Sequence, residues 1–289
     1  MRAPTDAGNL FFKAIAPTWK FEAALTKALA AWHPDDVPQL VAVDTTQGWL
    51  LMRDSGERLR ELVRSSRDAS AWLDILPQYA RLQVDLVKHR DEILRFGTPD
   101  HRLETLPAQY EEMLANTELM YLDQENGLPS TDYAQLQELA PQFAEMCTQL
   151  RAAPIPESLE HGDFHDANVF VRDGNYRFAD WGDACVAHPF FSMRVVLVSV
   201  ENSLNLPDYS PDSRPLLGAY LEAWREFGSR ETLQEIFRLA FRVAQVSGAL
   251  KWFRQMQVTP PELRADYMHG VPSLLKDFLY ADLEKYPYV

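Results

Sequence analysis

Two short motifs decide the fold of this chain: HGDFHDAN at residues 161–168 and DWGD at residues 180–183. Two apolar runs, 167–171 and 176–179, lie between them and are joined by Arg-Asp-Gly-Asn. An Asp-Gly pair between apolar runs is a strong local signal for a β-hairpin. The hairpin places the end of the first motif beside the start of the second, so the sequence predicts one polar site built from both.

The residue types in this site suit phosphoryl transfer. That reaction needs a carboxylate that accepts the proton of the acceptor hydroxyl, and hard oxygen ligands that hold Mg²⁺ on the phosphates. A catalytic loop with the spacing H-x-D-x-x-x-x-N, followed by an Asp-x-Gly turn, supplies both. His161, Asp163 and Asn168 match the loop, and Asp180 opens the turn. Gly182 completes the Asp-x-Gly turn, so five positions match. An accidental match at five positions is much less probable than a shared chemistry.

The segments HGDFHDANVFV and FADWGDA resemble the phosphotransferase and metal-binding motifs of the aminoglycoside phosphotransferase family, within the protein-kinase-like superfamily. The resemblance implies a two-lobed kinase-like fold with ATP in the cleft between the lobes. It implies Asp163 as the catalytic base, Asn168 and Asp180 as Mg²⁺ ligands, and His161 as a residue that orients the loop. The expected activity is transfer of the γ-phosphate of ATP to a hydroxyl of a small molecule, such as an aminoglycoside-like compound, an amino alcohol or a sugar.

The resemblance extends to the first 54 residues. Lys13 lies in the strand-like run NLFFKAI, as the lysine that contacts the ATP phosphates does in that family, and Glu22 in the next helix is its expected partner. The run WLLMRD resembles the strand and hinge that hold adenine, through backbone groups of Leu51, Met52 and Arg53. The alternative for Lys13 is a lysine that keeps an edge strand soluble.

The fold class predicted from these patterns is α+β, with a small β-rich N-lobe (residues 1–55) and a large, mainly helical C-lobe (residues 56–289). The N-lobe contains strands at 9–15, 39–43 and 49–52, and a helix from Thr18 to about Trp32. About eight residues precede the Lys13 strand, so the two strands that cover the phosphates in this family are expected to be missing. Apolar residues at helical spacing predict the helices of the C-lobe: 71–95, 103–122, 132–152, 192–204, 216–227 and 233–256.

Composition excludes several classes of protein. A net charge of −14 argues against a nucleic-acid partner, which needs clustered Lys and Arg. No apolar run is long enough to span a bilayer, and the N-terminus lacks the apolar core of a signal peptide, so a cytoplasmic protein without a membrane partner is expected. The acidity leaves two interpretations open, which are solubility or attraction of a cationic acceptor.

The roles of several residues in and near the motifs stay open. His165 either makes a hydrogen bond within the loop or touches the transferred phosphate. His161, Asp163, His165 and Asp166 together also suit a metal-dependent hydrolase. Ser192 takes the place of an Asp that supports the catalytic loop in the resembled family. If the short N-lobe captures ATP poorly, the chain is instead a nucleotide- or metabolite-binding pseudokinase.

Overall fold

The structure is a computed structural model that describes residues 1–6, 8–207 and 210–280. Its N-terminal lobe is a four-stranded antiparallel sheet with the strand order β1-β2-β4-β3. The lobe contains β1 (Arg2–Thr5), β2 (Gly8–Ala14), α1 (Phe21–Trp32), β3 (Leu40–Asp44) and β4 (Trp49–Arg53). Ile15, Ala23 and Leu50 form its small apolar core between the sheet and α1.

One strand precedes the Lys13 strand where none was expected. β1 pairs with β2 in a register that sets Arg2 against Phe11 and Thr5 against Gly8. The sequence shows no sign of this strand, because all four of its residues are exposed and no alternation of apolar side chains results. An edge strand of this kind is held by backbone pairing rather than by burial.

The C-terminal lobe consists mainly of helices. They are α2 (Leu59–Ser66), α3 (Trp72–Leu86), α4 (Arg90–Arg95), α5 (Leu106–Ala115), α6 (Ser130–Glu138), α7 (Ala140–Ala152), α8 (Ser192–Leu204), α9 (Arg214–Glu222), α10 (Arg230–Val258) and α11 (Gly270–Tyr280). Its strands are β5 (Glu57–Arg58), β6 (Ser158–Glu160), β7 (Val169–Arg172), β8 (Asn175–Phe178) and β9 (Cys185–Ala187). The two-lobed α+β architecture predicted from the sequence is therefore confirmed.

Two of the predicted helices each divide into two α-helices, and the predicted helices 103–122 and 216–227 each shorten to one α-helix followed by a 3-10 turn. The segment 71–95 breaks at a 3-10 turn, Val87–His89, between α3 and α4. The segment 132–152 breaks between α6 and α7, where Pro141 lies in the first turn of α7. Proline is tolerated in a first turn because the N–H that it lacks has no helical partner there. Proline here therefore marks a helix start rather than an interruption.

The predicted hairpin is present. β7 and β8 pair from Val169–Phe178 to Arg172–Asn175, with Asp173 and Gly174 both at positive φ in the turn. At the other end, the backbone N–H of Ala179 donates to the carbonyl of Asn168 at 2.9 Å. The hairpin thus closes with the last residue of the first motif beside the first residue of the second.

A cluster of buried aromatic rings lies under the catalytic loop. Phe164 stacks on Tyr79 with ring centroids 3.9 Å apart and meets Phe178 edge-on at 5.2 Å. Trp72 also meets Phe164 edge-on, at 5.6 Å. Each such pair adds about 0.5–1.5 kcal/mol beyond the area that it buries. The loop is thereby fixed to α3 and to the hairpin.

The chain passes from one lobe to the other at Arg53 to Gly56. Directly afterwards, β5 pairs with the hairpin strand β7 in the sheet order β5-β7-β8. This pairing supports the lobe boundary that we propose between residues 55 and 56. No helix among residues 1–6, 8–207 and 210–280 is long and apolar enough to cross a membrane.

Candidate active site

Asp163 lies at the centre of the catalytic loop with two polar neighbours on its carboxylate. The amide nitrogen of Asn168 donates to Asp163 Oδ2 at 3.1 Å and to its backbone carbonyl at 2.9 Å. His165 Nε2 lies 3.2 Å from the same Oδ2. Burial alone would raise the pKa of Asp163, but the hydrogen bonds from His165 and Asn168 lower it below its ordinary value. The carboxylate is therefore ionised at neutral pH, and 41% of the side chain remains exposed.

His161 joins the catalytic loop to the turn that begins at Asp180. Its Nδ1 accepts from the backbone N–H of Asp163 at 3.3 Å, and its Nε2 lies 3.0 Å from the carbonyl of Ala179. These partners select the neutral tautomer that carries the proton on Nε2, which donates to the carbonyl. Burial lowers the pKa of His161 and favours that neutral form. The ring packs on Trp181 at 4.5 Å, so the predicted orienting role of His161 has a structural basis.

The turn that begins at Asp180 lies tightly against the loop. Asp180 has a left-handed backbone with φ of 69°, and 57% of its side chain is exposed toward the cleft. Gly162 has a φ of +82°, and a Cβ placed on it would lie 1.9 Å from the carbonyl oxygen of Asp183. Only glycine allows such an approach.

Lys13 connects the two lobes. Its Nζ lies 2.5 Å from Glu22 Oε1 and 2.6 Å from Asp180 Oδ1. Burial would lower the pKa of Lys13, but the carboxylates of Glu22 and Asp180 raise it above its ordinary value. Burial raises the pKa of Glu22, and the ammonium of Lys13 partly offsets that effect. The alternative of a solvated edge-strand lysine does not fit the structure, because the ammonium of Lys13 contacts two carboxylates in the cleft.

A cavity of about 430 Å³ lies between the lobes beside Lys13. It has apolar walls and a polar end, which suits a nucleotide. The lining includes Phe12, Lys13, Glu22, Leu50, Met52, Arg53, Asp54, Ser55, Gly56, Asn168, Phe170 and Asp180.

Of the three predicted hinge residues, the structure brings Met52 and Arg53 to this cavity but not Leu51. Side chains of a strand alternate between the two faces of the sheet, so Leu50 and Met52 face the cleft together. The backbone of Leu51 lies in the middle of the sheet, opposite Phe12 on one side and Ala42 on the other.

Asn168 and Asp180 both line the cleft cavity and carry oxygen atoms that a cation can use. Both hydrogen bonds of the Asn168 side chain use its nitrogen, which leaves the amide oxygen for a cation. Within the described part of the chain, no group of three or more His, Cys, Asp or Glu residues could hold a metal alone. Mg²⁺ in phosphotransferases is bound by one or two protein ligands together with substrate phosphates and water. The residues present therefore fit Mg²⁺ bound with a nucleotide.

Asp166 does not belong to this oxygen cluster. Its side chain is buried, with Arg60 Nε at 2.6 Å and the hydroxyl of Ser203 at 2.5 Å. It holds α2 and α8 against the loop. The metal-dependent hydrolase considered from the sequence needed Asp166 as a ligand, and the structure contradicts it.

Sequence reasoning missed the residue that supports the loop from below, which is Glu160. Its side chain is 1% exposed. Oε1 accepts from the backbone N–H of Gly162 at 2.9 Å and from the hydroxyl of Ser192 at 3.3 Å. Oε2 contacts Lys251 Nζ, and Cys185 Sγ donates to it at 3.3 Å. Burial alone would raise the pKa of Glu160, but the ammonium of Lys251 lowers it.

Ser192 therefore supports the loop indirectly. Its hydroxyl lies 2.8 Å from the hydroxyl of Tyr79, which accepts from the backbone N–H of His161 at 3.1 Å. The charge that an Asp would bring at this position comes instead from Glu160. The one available signal was an acidic residue in a short buried strand, directly before the motif.

The fold and the site define a kinase-like phosphotransferase. The family model of the phosphotransferase enzyme family matches residues 10–236. The chain belongs to this family, which confirms the family and the enzyme class predicted from the sequence. A comparison with curated protein sequences finds no match.

Solved structures with the same fold include small-molecule kinases. The amicoumacin kinase hAmiN, in complex with AMP-PNP, Ca²⁺ and Ami, is 13% identical, with a TM-score of 0.60 over 97% of this chain and 85% of that one. The GDP and kanamycin complex of APH(2")-IIia is 16% identical, with a TM-score of 0.60 over 94% of this chain and 87% of that one. An ethanolamine kinase from Plasmodium vivax is 11% identical, with a TM-score of 0.65 over 98% of this chain and 78% of that one.

Proposed function

We propose that this protein is an ATP- and Mg²⁺-dependent kinase that phosphorylates a hydroxyl group of a small molecule. The observation that carries the proposal is Lys13, which contacts Glu22 and Asp180 across the cleft. A cation held on a strand between a helix carboxylate and a metal-binding carboxylate is the arrangement that phosphoryl transfer requires. The nucleotides and small molecules bound by hAmiN and by APH(2")-IIia support the same function here.

In this mechanism Asp163 orients the acceptor hydroxyl and takes its proton. The lowered pKa of Asp163 makes it a weak base, and this suits a loose transition state in which the proton leaves late. Asn168 and His165 fix the direction of the carboxylate through Oδ2. His165 therefore acts on Asp163, in agreement with the interpretation of His165 as a hydrogen-bonding residue of the loop.

On the nucleotide side, Lys13 steadies the phosphates, and Glu22 holds its ammonium in place. Met52, Arg53 and the following hinge residues face the base. Asn168 and Asp180 would hold Mg²⁺, which when bound neutralises charge on the phosphates.

The pseudokinase alternative rested on the loss of both strands ahead of the Lys13 strand. One of them, β1, is present and paired along its length, so this premise holds only in part. The alternative is kept as one outcome of the experiment below.

The test measures the release of ADP from ATP in the presence of Mg²⁺, with each member of a panel of hydroxyl-bearing metabolites as the acceptor. D163N is expected to lower kcat by roughly 10²–10⁴-fold, because the catalytic base is lost. The variant is expected to bind nucleotide as wild type does. D173N, in the exposed hairpin turn, removes the same charge and is expected to behave as wild type. Full turnover by D163N would refute the assignment of the base. Binding of MgATP without ADP release on any acceptor would identify a pseudokinase.

A further inference from the structure

Arg254, near the end of α10, reaches from the helical lobe to the turn that begins at Asp180. Its Nη2 donates to the backbone carbonyl of Gly182 at 3.4 Å and lies 3.9 Å from Asp183 Oδ1. Only 24% of the side chain is exposed, and its Nε is buried without a hydrogen-bond partner among the described residues. A buried N–H without an acceptor is costly, so a specific contact must favour this placement of the guanidinium.

The same guanidinium packs on two aromatic rings at the start of α1. Its Cζ lies 5.9 Å from the ring centroid of Trp19 and 5.7 Å from that of Phe21. Trp19 ends the 3-10 turn ahead of α1, and Phe21 is the first residue of that helix. A guanidinium is attracted to the face of an aromatic ring. Arg254 therefore connects α10 of the C-lobe both to the turn and to the helix of the N-lobe.

The turn and α1 meet at Gly182. A Cβ placed on Gly182 would lie 3.4 Å from Glu22 Oε2 and 3.8 Å from Asp180 Oδ1. These are the two carboxylates that contact Lys13 Nζ. The residue whose carbonyl accepts from Arg254 thus lies beside both of them. A shift of the turn relative to α1 would change how the two carboxylates and the ammonium are arranged.

Arg254 and Lys251 lie three residues apart and therefore on one side of α10. Lys251 contacts Glu160, which holds the backbone of the catalytic loop. Arg254 contacts the turn instead. One face of α10 thus supports both motifs of the site, each through its own cation.

We propose that Arg254 is a positioning residue that fixes the turn against α1, so that Asp180 and Lys13 are placed to receive a nucleotide together with Mg²⁺. Arg254 acts through Gly182 and through the start of α1. It is not among the described residues that line the nucleotide cavity, so it does not contact the nucleotide itself. This inference rests on the proposed kinase function.

The experiment measures the Kd of ATP by isothermal titration, once with Mg²⁺ and once with EDTA. The ratio of the two Kd values reports how much Mg²⁺ strengthens nucleotide binding. R254Q is expected to lower that ratio by roughly 2- to 30-fold, because the turn that carries Asp180 loses its contact with α10. The Kd in EDTA is expected to stay as in wild type. R254K keeps the charge but not the planar group that stacks on the rings, and it is expected to be intermediate.

Arg242 offers a matched control on the same helix. Its Nε donates to the carbonyl of Phe278 at 3.3 Å, and its Cζ lies 5.2 Å from the ring of Phe278. These are the same kinds of contact, made to α11 instead of the site. R242Q is therefore expected to leave the ratio unchanged even if it lowers Tm.

W19L removes one ring beneath the guanidinium and keeps Arg254, so it is expected to lower the ratio less than R254Q does. If R254Q does not fold, W19L and R254K decide the question. The inference is overturned if R254Q, or both of these variants in its place, keeps the wild-type ratio, or if R242Q lowers the ratio as much. If wild type binds ATP no better with Mg²⁺ than with EDTA, the proposed function itself fails and this inference with it.

Discussion

The buried contact between Glu160 and Lys251 gives the sharpest test of how the catalytic loop is supported. K251M removes the cation and keeps most of the length of the side chain. The Glu160 carboxylate then remains buried, with only the donors from Gly162, Ser192 and Cys185. Removing one partner of a buried ion pair costs about 3–5 kcal/mol, because an uncompensated charge is left behind.

Thermal denaturation at pH 7 measures this cost. The entropy of unfolding scales with chain length, so about 3–5 kcal/mol corresponds to a fall in Tm of roughly 5–8 °C for a chain of this size. The double variant E160Q/K251M is expected to recover at least about 2 kcal/mol of the loss, because glutamine is neutral. K27M, on an exposed position of α1, is the control for losing a lysine.

The stability that Glu160 contributes to the folded protein changes with pH in a defined direction. The pKa of Glu160 is depressed in the folded protein, so the stability that it contributes is fully present above its unfolded pKa near 4.5. That stability is lost as the pH falls through the folded pKa. In K251M the carboxylate has no cation, so the difference in Tm between wild type and K251M is expected to narrow as the pH falls below 4.5. This account of the loop would be refuted if K251M lowered the free energy of unfolding by less than about 1 kcal/mol at pH 7. It would also be refuted if the double variant E160Q/K251M were less stable than K251M.

Three further variants address the site itself. G162A is expected to destabilise the protein by about 1–3 kcal/mol and to lower kcat, since the positive φ is strained and the new Cβ meets the carbonyl of Asp183; an unchanged Tm would contradict the close approach. H165A removes a hydrogen bond that lowers the pKa of Asp163, so the acidic limb of the kcat/KM profile is expected to move to higher pH; a stationary limb would show that His165 does not tune the base. K13M is expected to raise the KM of ATP by roughly 10- to 100-fold, and isothermal titration with ATP and Mg²⁺ checks that the loss is in binding.

The loop, the hairpin and the turn were predictable from the sequence because their signals are local. The hairpin depends on the pair Asp173-Gly174, and the loop depends on residue types at fixed spacing. The relation of Lys13 to Glu22 followed from the resemblance, and the structure shows a short contact between them. The backbone of Leu51 was expected to face the base, but the sequence does not show that Leu51 is paired with Phe12 on one side and Ala42 on the other.

Long-range contacts were not predictable in the same way. Glu160 and Lys251 are 91 residues apart in sequence, and no periodic pattern links a charged residue in a strand to one on a helix.

The position of Glu160 explains why the residue at 192 on α8 can be neutral. The carboxylate beneath the loop comes from β6, next to the motif, so α8 does not need to supply an acid at Ser192. A carboxylate at that position would add a second buried anion beside Glu160, which one Lys251 could not balance. The same Glu160 carboxylate contacts Lys251 and accepts from the backbone N–H of Gly162 in the loop. K251M is therefore expected to lower kcat as well as Tm, because the carboxylate that holds the loop backbone loses its cation. A pair that serves stability alone would leave the kcat of the folded protein unchanged.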